Sequence, residues 1–326
     1  MRRRPFIVLS VLAALALGAI AWAERGAILI WLAPQKSATA DASEQAKHAN
    51  ARFWDALHGG RYDELPGVIE ALTAAYLENP RHAETAAHVA FSHVWYATER
   101  ARFDRPRATV TEHFMLARRY FSEAVRLSPK DERFKGFLAS MELVEAGIHR
   151  DEKLRRRGYL DLMASVQGWP EFNLFTAGYV LSGLPFSDPR YAEGVEYQWR
   201  NIEVCVGEKV DRAAAGWAKY LKLETTTGPK RACWNSWIAP HNFEGFFLNM
   251  GDMLVKQGDP ATARRIYATA RLSKTYPQWP FKAVLEERLA QAEENVALFR
   301  DPKPGEKRRT IMLFTDFACM GCHQEK

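Results

Sequence analysis

The side chains best placed to do chemistry form one string, Cys319-Met320-Gly321-Cys322-His323. Two thiols three positions apart and a neighbouring imidazole can act together in several ways. The thiols can bond a cofactor while the imidazole binds its metal, or they can cycle between dithiol and disulfide. All three side chains can also ligate a metal ion. Because the chain has only 4 cysteines in 326 residues, such a string is not expected by chance.

The string resembles the haem-attachment motif of c-type cytochromes. The resemblance implies that Cys319 and Cys322 form thioether bonds to a covalent haem c and that His323 is an axial ligand of the iron. It covers the attachment string alone, since the chain continues for only three residues beyond His323. The second axial ligand must then come from elsewhere, with Met312 and His241 as candidates, or from a partner. An open position would favour the sensing of a small ligand.

Two other interpretations of the tail stay open. The apolar stretch before Cys319 is predicted to be a strand or a docked extended segment, and it is similar to the approach to a thioredoxin-type Cys-x-x-Cys. That similarity implies a thiol-redox site. Alternatively, Cys319, Cys322 and His323 bind copper or zinc, with one ligand fewer than a closed structural zinc site uses.

Residues 1–34 have the pattern of a signal peptide or a membrane anchor. Three arginines at positions 2–4 precede an uncharged apolar run at 6–23, small residues follow, and a second apolar stretch covers 26–33. Cleavage and retention are both consistent with this pattern. Either outcome places the remaining chain in the periplasm, or anchored in the inner membrane and facing the periplasm. In c-type cytochromes, haem is attached on that side of the membrane.

Composition favours neither nucleic-acid binding nor a recognisable catalytic site. The net charge is +6, and about half of it belongs to the first 25 residues, so the body is close to neutral. The sequence has no phosphate-binding glycine loop, no nucleophile elbow and no H-E-x-x-H string. Enzymatic activity therefore has no support from the sequence.

The fold class predicted from residues 46–300 is all-α. Apolar residues recur there at spacings of three and four, and glycine and proline separate the segments. Asp188 and Asp259 each precede a proline, as an N-cap does at the start of a helix. A polar linker at 35–45 precedes this body. A charged linker at 301–309 follows it and leads into the tail at 310–326.

Residues 247–270 resemble a tetratricopeptide repeat, with large apolar residues and Gly251 in a first helix and Ala263, Tyr267 and Ala270 in a second. Weaker copies lie at 117–129 and 60–69. The resemblance implies a solenoid of helical hairpins whose concave face docks a protein partner.

Cys205 and Cys233 are the two remaining cysteines. In an exported chain they are expected to form a disulfide, although two separate buried thiols remain an alternative.

Leader, body and tail together predict an exported c-type haem protein, either released by cleavage of the leader or kept at the membrane by it. It would transfer electrons or sense a ligand or a redox state, while its helical body docks a partner. The alternative from another class is a periplasmic interaction scaffold whose Cys-x-x-Cys tail is a thiol-redox or metal site.

Overall fold

The computed structural model describes residues 18, 22, 24–99, 108–213, 225–234, 237–301, 311–314 and 319–324. The chain divides into two compact units, residues 1–37 and 38–326. The described part of the first unit contains helix α1, Arg25–Leu32, whose side chains are all exposed. Most of the predicted leader lies outside the described residues. No helix in the described part is both long and apolar enough to cross a membrane.

The described part of the second unit is all-helical, with no strand. Its helices are α2 (Glu44–His58), α3 (Leu65–Glu78), α4 (Ala83–Thr98), α5 (Val110–Leu127), α6 (Glu132–His149), α7 (Glu152–Gly168), α8 (Pro170–Ser182), α9 (Pro189–Val206), α10 (Arg231–Trp234), α11 (Asn242–Gln257), α12 (Pro260–Ala270), α13 (Lys282–Ala290), α14 (Glu294–Arg300) and α15 (Cys319–His323). Short 3-10 turns lie at Tyr62–Glu64, Tyr276–Gln278 and Ile311–Phe314.

Local capping explains where several helices begin. Ser43 accepts a hydrogen bond from the backbone N–H of Ala46, so α2 starts at Glu44, slightly earlier than the sequence predicts. Asp188 caps α9 and Asp259 caps α12, in each case with a proline at the first helical position. These two caps and the predicted helical body agree with the structure.

Helices that follow one another in the sequence pack side by side and bury two main hydrophobic clusters. The N-terminal cluster draws its buried residues from positions 46–141, and the C-terminal cluster draws them from positions 179–313. A smaller hydrophobic cluster draws its buried residues from the four helices α6, α7, α8 and α9. The division matters for the site, because α15 contacts both main clusters.

The segment 247–270 forms a helical hairpin from α11 and α12. The chain turns between the two helices at Gly258, whose φ is 107°. Gly251 allows the close approach, since a β-carbon there would lie 2.2 Å from Cε1 of Tyr267. The Tyr267 hydroxyl donates to Oδ1 of Asp252 at 2.6 Å. Small residues and an aromatic ring thus set the packing of this pair, as the sequence predicts.

Cys205 at the end of α9 and Cys233 in α10 are joined by a disulfide, with their Cα atoms 5.9 Å apart. The bond ties α10, which follows an undescribed segment at 214–224, to the C-terminal hydrophobic cluster.

The described part of the tail is docked on the body, but it is neither the strand nor the extended segment that the sequence predicts. Residues Ile311–Phe314 form a turn in which Met312 and Leu313 have left-handed φ values of 57° and 58°. Both side chains are buried in the C-terminal cluster, and the backbone N–H of Met312 donates to Oδ2 of Asp252 at 2.9 Å. An extended strand would have pointed these neighbouring side chains in opposite directions. The linker at 302–310 and residues 315–318 lie outside the described residues.

Candidate functional site

Helix α15 carries the Cys-x-x-Cys-His string and contacts both main hydrophobic clusters. Cys319 packs against the N-terminal cluster, whereas Met320 packs against the C-terminal cluster. Cys319 and Cys322 are half-buried, and neither is in a disulfide. The string is therefore packed against the body, with Gly321 buried and its other four residues half-buried.

Helix α11 holds α15 through backbone contacts. A β-carbon on Gly245 would lie 2.4 Å from the carbonyl carbon of Gly321 and 2.6 Å from Sγ of Cys322, so only glycine fits there. The backbone N–H of His241 donates to the Cys322 carbonyl at 3.0 Å. The indole N–H of Trp279 donates to the Gly321 carbonyl, also at 3.0 Å. These contacts position the second cysteine and the histidine that follows it.

On its other side, the end of the string meets helix α2. The ring of His323 lies nearly parallel to that of His58, at an interplanar angle of 11° with the centroids 6.1 Å apart. The indole of Trp54 lies 6.4 Å from the His323 ring at an angle of 29°. The side chain of Gln324 packs against Gly60 in the turn after α2. The packing is so close that a β-carbon on Gly60 would lie 2.8 Å from Cδ of Gln324.

Four rings from three segments form an aromatic cluster, which we define as Trp54, His58, Trp237 and His323. Trp237 lies 5.7 Å from Trp54 and 6.1 Å from His58 between ring centroids. The side chain of Trp237 is 66% exposed, so the cluster extends from the Cys-x-x-Cys-His string to the protein surface.

Burial keeps both free thiols protonated. It raises the pKa of the Cys319 thiol to about 12, and the nearby Glu99 carboxylate acts in the same direction. Burial also raises the pKa of Cys322, with smaller effects from Cys319 and Glu244. Thiolates are the reactive form of cysteine, so these thiols are poor nucleophiles in this conformation.

The imidazole of His323 is neutral. Burial lowers its pKa to about 3, and His58 acts in the same direction, while the Ile238 carbonyl opposes them. Nδ1 of this ring is buried and makes no hydrogen bond within the described part of the chain. A neutral imidazole keeps a nitrogen lone pair, which is what a metal ligand requires.

The structure also locates the two residues considered as second axial ligands. Sδ of Met312 accepts a hydrogen bond from the Ser182 hydroxyl at 3.3 Å, and the side chain is buried. Nδ1 of His241 lies 3.6 Å from Oε1 of Glu244, and this imidazole is also buried. Both residues are close to α15 along the chain or in space, but neither of these two side-chain contacts involves His323.

Sequence reasoning did not identify His58 or Trp54. Nothing in their local sequence distinguishes them, since one is the last residue of an amphipathic helix and the other is an aromatic residue one turn earlier. The Gly59-Gly60 turn that follows is a helix-end signal and gives no hint of a ligand. Only the packing of α2 against α15 brings them to the string.

The described residues contain no group of three or more histidine, cysteine, aspartate and glutamate side chains arranged to hold a metal ion. The sequence matches none of the known protein families and none of the curated proteins with which it was compared. The function is therefore argued from the site itself.

Proposed function

We propose that this chain is an exported c-type haem protein, in which Cys319 and Cys322 bond the haem covalently and His323 is an axial ligand of its iron. The bound haem would supply a redox-active iron for electron transfer, or for sensing a redox state or a ligand. The observation that carries the proposal is a half-buried, neutral His323 that directly follows Cys322, with both free thiols of the string protonated. Nδ1 of His323 is buried and makes no hydrogen bond within the described residues.

The side chains present fit this group by their chemistry. Residues three apart on a helix lie on the same side, so Cys319 and Cys322 can reach one macrocycle together. Their thiols carry the protons that addition to two vinyl groups consumes, one S–H for each thioether bond. Trp54 provides a flat apolar surface next to His323, and Trp237 packs beside Trp54, so the site offers the aromatic surroundings that a porphyrin needs.

The thiol-redox alternative has less support from the geometry. Reactive Cys-x-x-Cys motifs lower a thiol pKa to between about 3.5 and 7.5 with a cation or a helix N-terminus. Here burial raises the pKa of both thiols, and the charges acting on them are negative. Such an environment keeps the thiols protonated, and it does not activate them as nucleophiles.

We further propose that the helical body, with a tetratricopeptide-like hairpin at α11 and α12, docks the protein partner. Trp237 supports this idea, because it is the exposed member of the aromatic cluster and tryptophan is enriched at protein interfaces. An electron passing between His323 and a docked partner would have a short path through these rings. The N-terminal segment, if retained, would tether the protein to the membrane.

The proposal is tested by expressing the full chain with a signal for export and the cytochrome maturation machinery. We expect haem that survives denaturation, seen as a haem-stained band on a gel and as a Soret band in solution. Cys319→Ala with Cys322→Ala should abolish the band. The matched control, Cys205→Ala with Cys233→Ala, removes the same number of cysteines, here those of the disulfide, and should retain the band. A colourless wild-type protein that is exported and folded would overturn the proposal.

A further inference from the structure

His58 has a direct geometric relationship to His323. Their rings are parallel to within 11°, and their centroids are 6.1 Å apart. Two imidazoles bound to opposite sides of one metal ion have centroids about 6 Å apart, because each metal–nitrogen bond is about 2 Å long and each bonded nitrogen lies about 1 Å from its ring centroid. The observed spacing therefore accommodates one iron between the two rings.

One backbone carbonyl acts on both rings. Nε2 of His58 lies 3.0 Å from the Ile238 oxygen, and the same carbonyl influences the pKa of His323. The two imidazoles thus face a common point beside the loop at 237–240.

Contacts beside His58 and beside His323 hold the two histidines near each other. It is the last residue of α2, and Arg61 folds back to bond Asp55 within that helix. Gln324, next to His323, packs on Gly60, two residues after His58. Each histidine is therefore held close to a contact between the same two segments.

The other nearby candidates are engaged elsewhere. Sδ of Met312 accepts a hydrogen bond from the Ser182 hydroxyl, and the backbone N–H of Met312 donates to Asp252. The ring of His241 faces Glu244 at 3.6 Å. Of the three side chains, only His58 has its ring beside that of His323.

We infer that His58 is the second axial ligand of the haem iron, so that the site is a bis-histidine haem. This inference rests on the proposed covalent haem at Cys319 and Cys322. Binding requires His58 to exchange its contact with the Ile238 carbonyl for the iron, and the loop at 237–240 must move away as the haem enters. The ligand set makes the site suited to electron transfer, because no coordination position stays open for a small molecule.

The test compares the absorption and electron paramagnetic resonance spectra of the haem-loaded full chain and its variants. We expect the wild type to be six-coordinate and low-spin in both oxidation states and slow to bind carbon monoxide. His58→Ala should become high-spin and bind carbon monoxide readily, and added imidazole should restore the low-spin spectrum. His48→Ala is the matched control, because His48 is an exposed histidine on the same helix. Its spectra should equal those of the wild type.

His58→Met tests the same point in a variant that keeps a ligand at this position. It should stay six-coordinate with a higher reduction potential than the wild type, because methionine replaces histidine on the iron. Low-spin spectra in His58→Ala without added imidazole would overturn the inference while leaving the proposed haem attachment intact. If Met312→Leu or His241→Ala lost the low-spin spectrum while His58→Ala kept it, the second ligand would be Met312 or His241. That result would also overturn the inference about His58. A wild-type chain without covalent haem would instead remove the proposed function on which the inference rests.

Discussion

Gly245 of α11 and Gly321 of α15 pack backbone against backbone. A β-carbon on Gly321 would lie 3.3 Å from the Cα of Gly245, and one on Gly245 would lie 2.4 Å from the carbonyl carbon of Gly321. The middle of the Cys-x-x-Cys string is thus pressed onto the body at a place where no side chain fits. This contact sets the depth at which Cys322 and His323 are buried.

Gly245→Ala should displace α15 from the body. The clash is with backbone atoms and cannot be relieved by a side-chain rotation, so we expect the free energy of unfolding to fall by about 1–3 kcal/mol. In the haem-free protein, Cys319 and Cys322 should react faster with a thiol reagent. Gly147→Ala in α6 is the control, since no atom lies within 4 Å of a β-carbon there. That change should stabilise the protein by about 0.5–1 kcal/mol. Equal thiol reactivity in both variants would contradict the role of Gly245.

Asp252→Asn should destabilise the core that anchors the tail. Asp252 is fully buried, lies 3.2 Å from Nε of Arg288, and accepts from Tyr267 and from the backbone of Met312. Because the change removes a buried negative charge 3.2 Å from the Arg288 guanidinium, we expect a loss of about 3–5 kcal/mol in urea unfolding.

Glu286→Gln provides the comparison for Asp252→Asn. Glu286 pairs with Arg271 at the surface, where the exposed fractions of the two side chains are 45% and 46%. We expect a change within about 1 kcal/mol. If the two variants lost the same stability, burial of the Asp252 pair would not be what anchors the tail.

His88 should make the fold less stable in mild acid. Burial lowers its pKa to about 3, with smaller effects from Arg133 and His82, and Nδ1 lies 2.7 Å from Oδ1 of Asn50. The unfolded chain takes up a proton near the ordinary pKa of about 6.5, whereas the folded chain does not. Stability that is present above that pH is therefore lost as the pH falls from 6.5 towards 3.

Unfolding measured at several pH values checks this dependence. Between pH 6.5 and pH 5, the wild type should lose about 1.5 kcal/mol more than His88→Gln, which cannot titrate. Other titrating groups are common to both proteins and cancel in the difference. Parallel pH profiles for the two proteins would show that folding does not lower the pKa of His88 and would contradict the prediction.

Removal of the disulfide with Cys205→Ala and Cys233→Ala should lower the free energy of unfolding by about 3–4 kcal/mol, because the unfolded chain gains freedom when a long loop is opened. The cysteines are 28 positions apart. Reductant should lower the unfolding midpoint of the wild type towards that of the variant and leave the variant unchanged. A wild-type midpoint that does not respond to reductant under unfolding conditions would contradict a stabilising bond.

Local signals in the sequence predict much of the body correctly, because helix formation depends mainly on neighbouring residues. The Asp-Pro pairs at 188–189 and 259–260 specify the starts of α9 and α12, and Gly258 supplies the left-handed turn between α11 and α12. Gly251 and Tyr267 already indicate a close helix pair in their spacing. The disulfide partners follow from having only two cysteines outside the tail motif.

The tail shows where local signals fail. Residues 311–314 are apolar and read as an extended segment, yet the described structure has a left-handed turn there. The acceptor that holds this turn, Asp252, lies in the interior of α11 and far away in the sequence. No pattern within the tail could reveal that contact.

The sequence by itself determined the all-α body, several helix boundaries and the two thiols and imidazole that could bond a haem. The tertiary structure alone decided that His58, at the far end of the sequence, lies beside His323, and that Trp54 and Trp237 complete the cluster around them. The physical reason is that periodicity and capping act over a few residues, whereas the meeting of α2 and α15 depends on how two hydrophobic clusters pack against the same short helix.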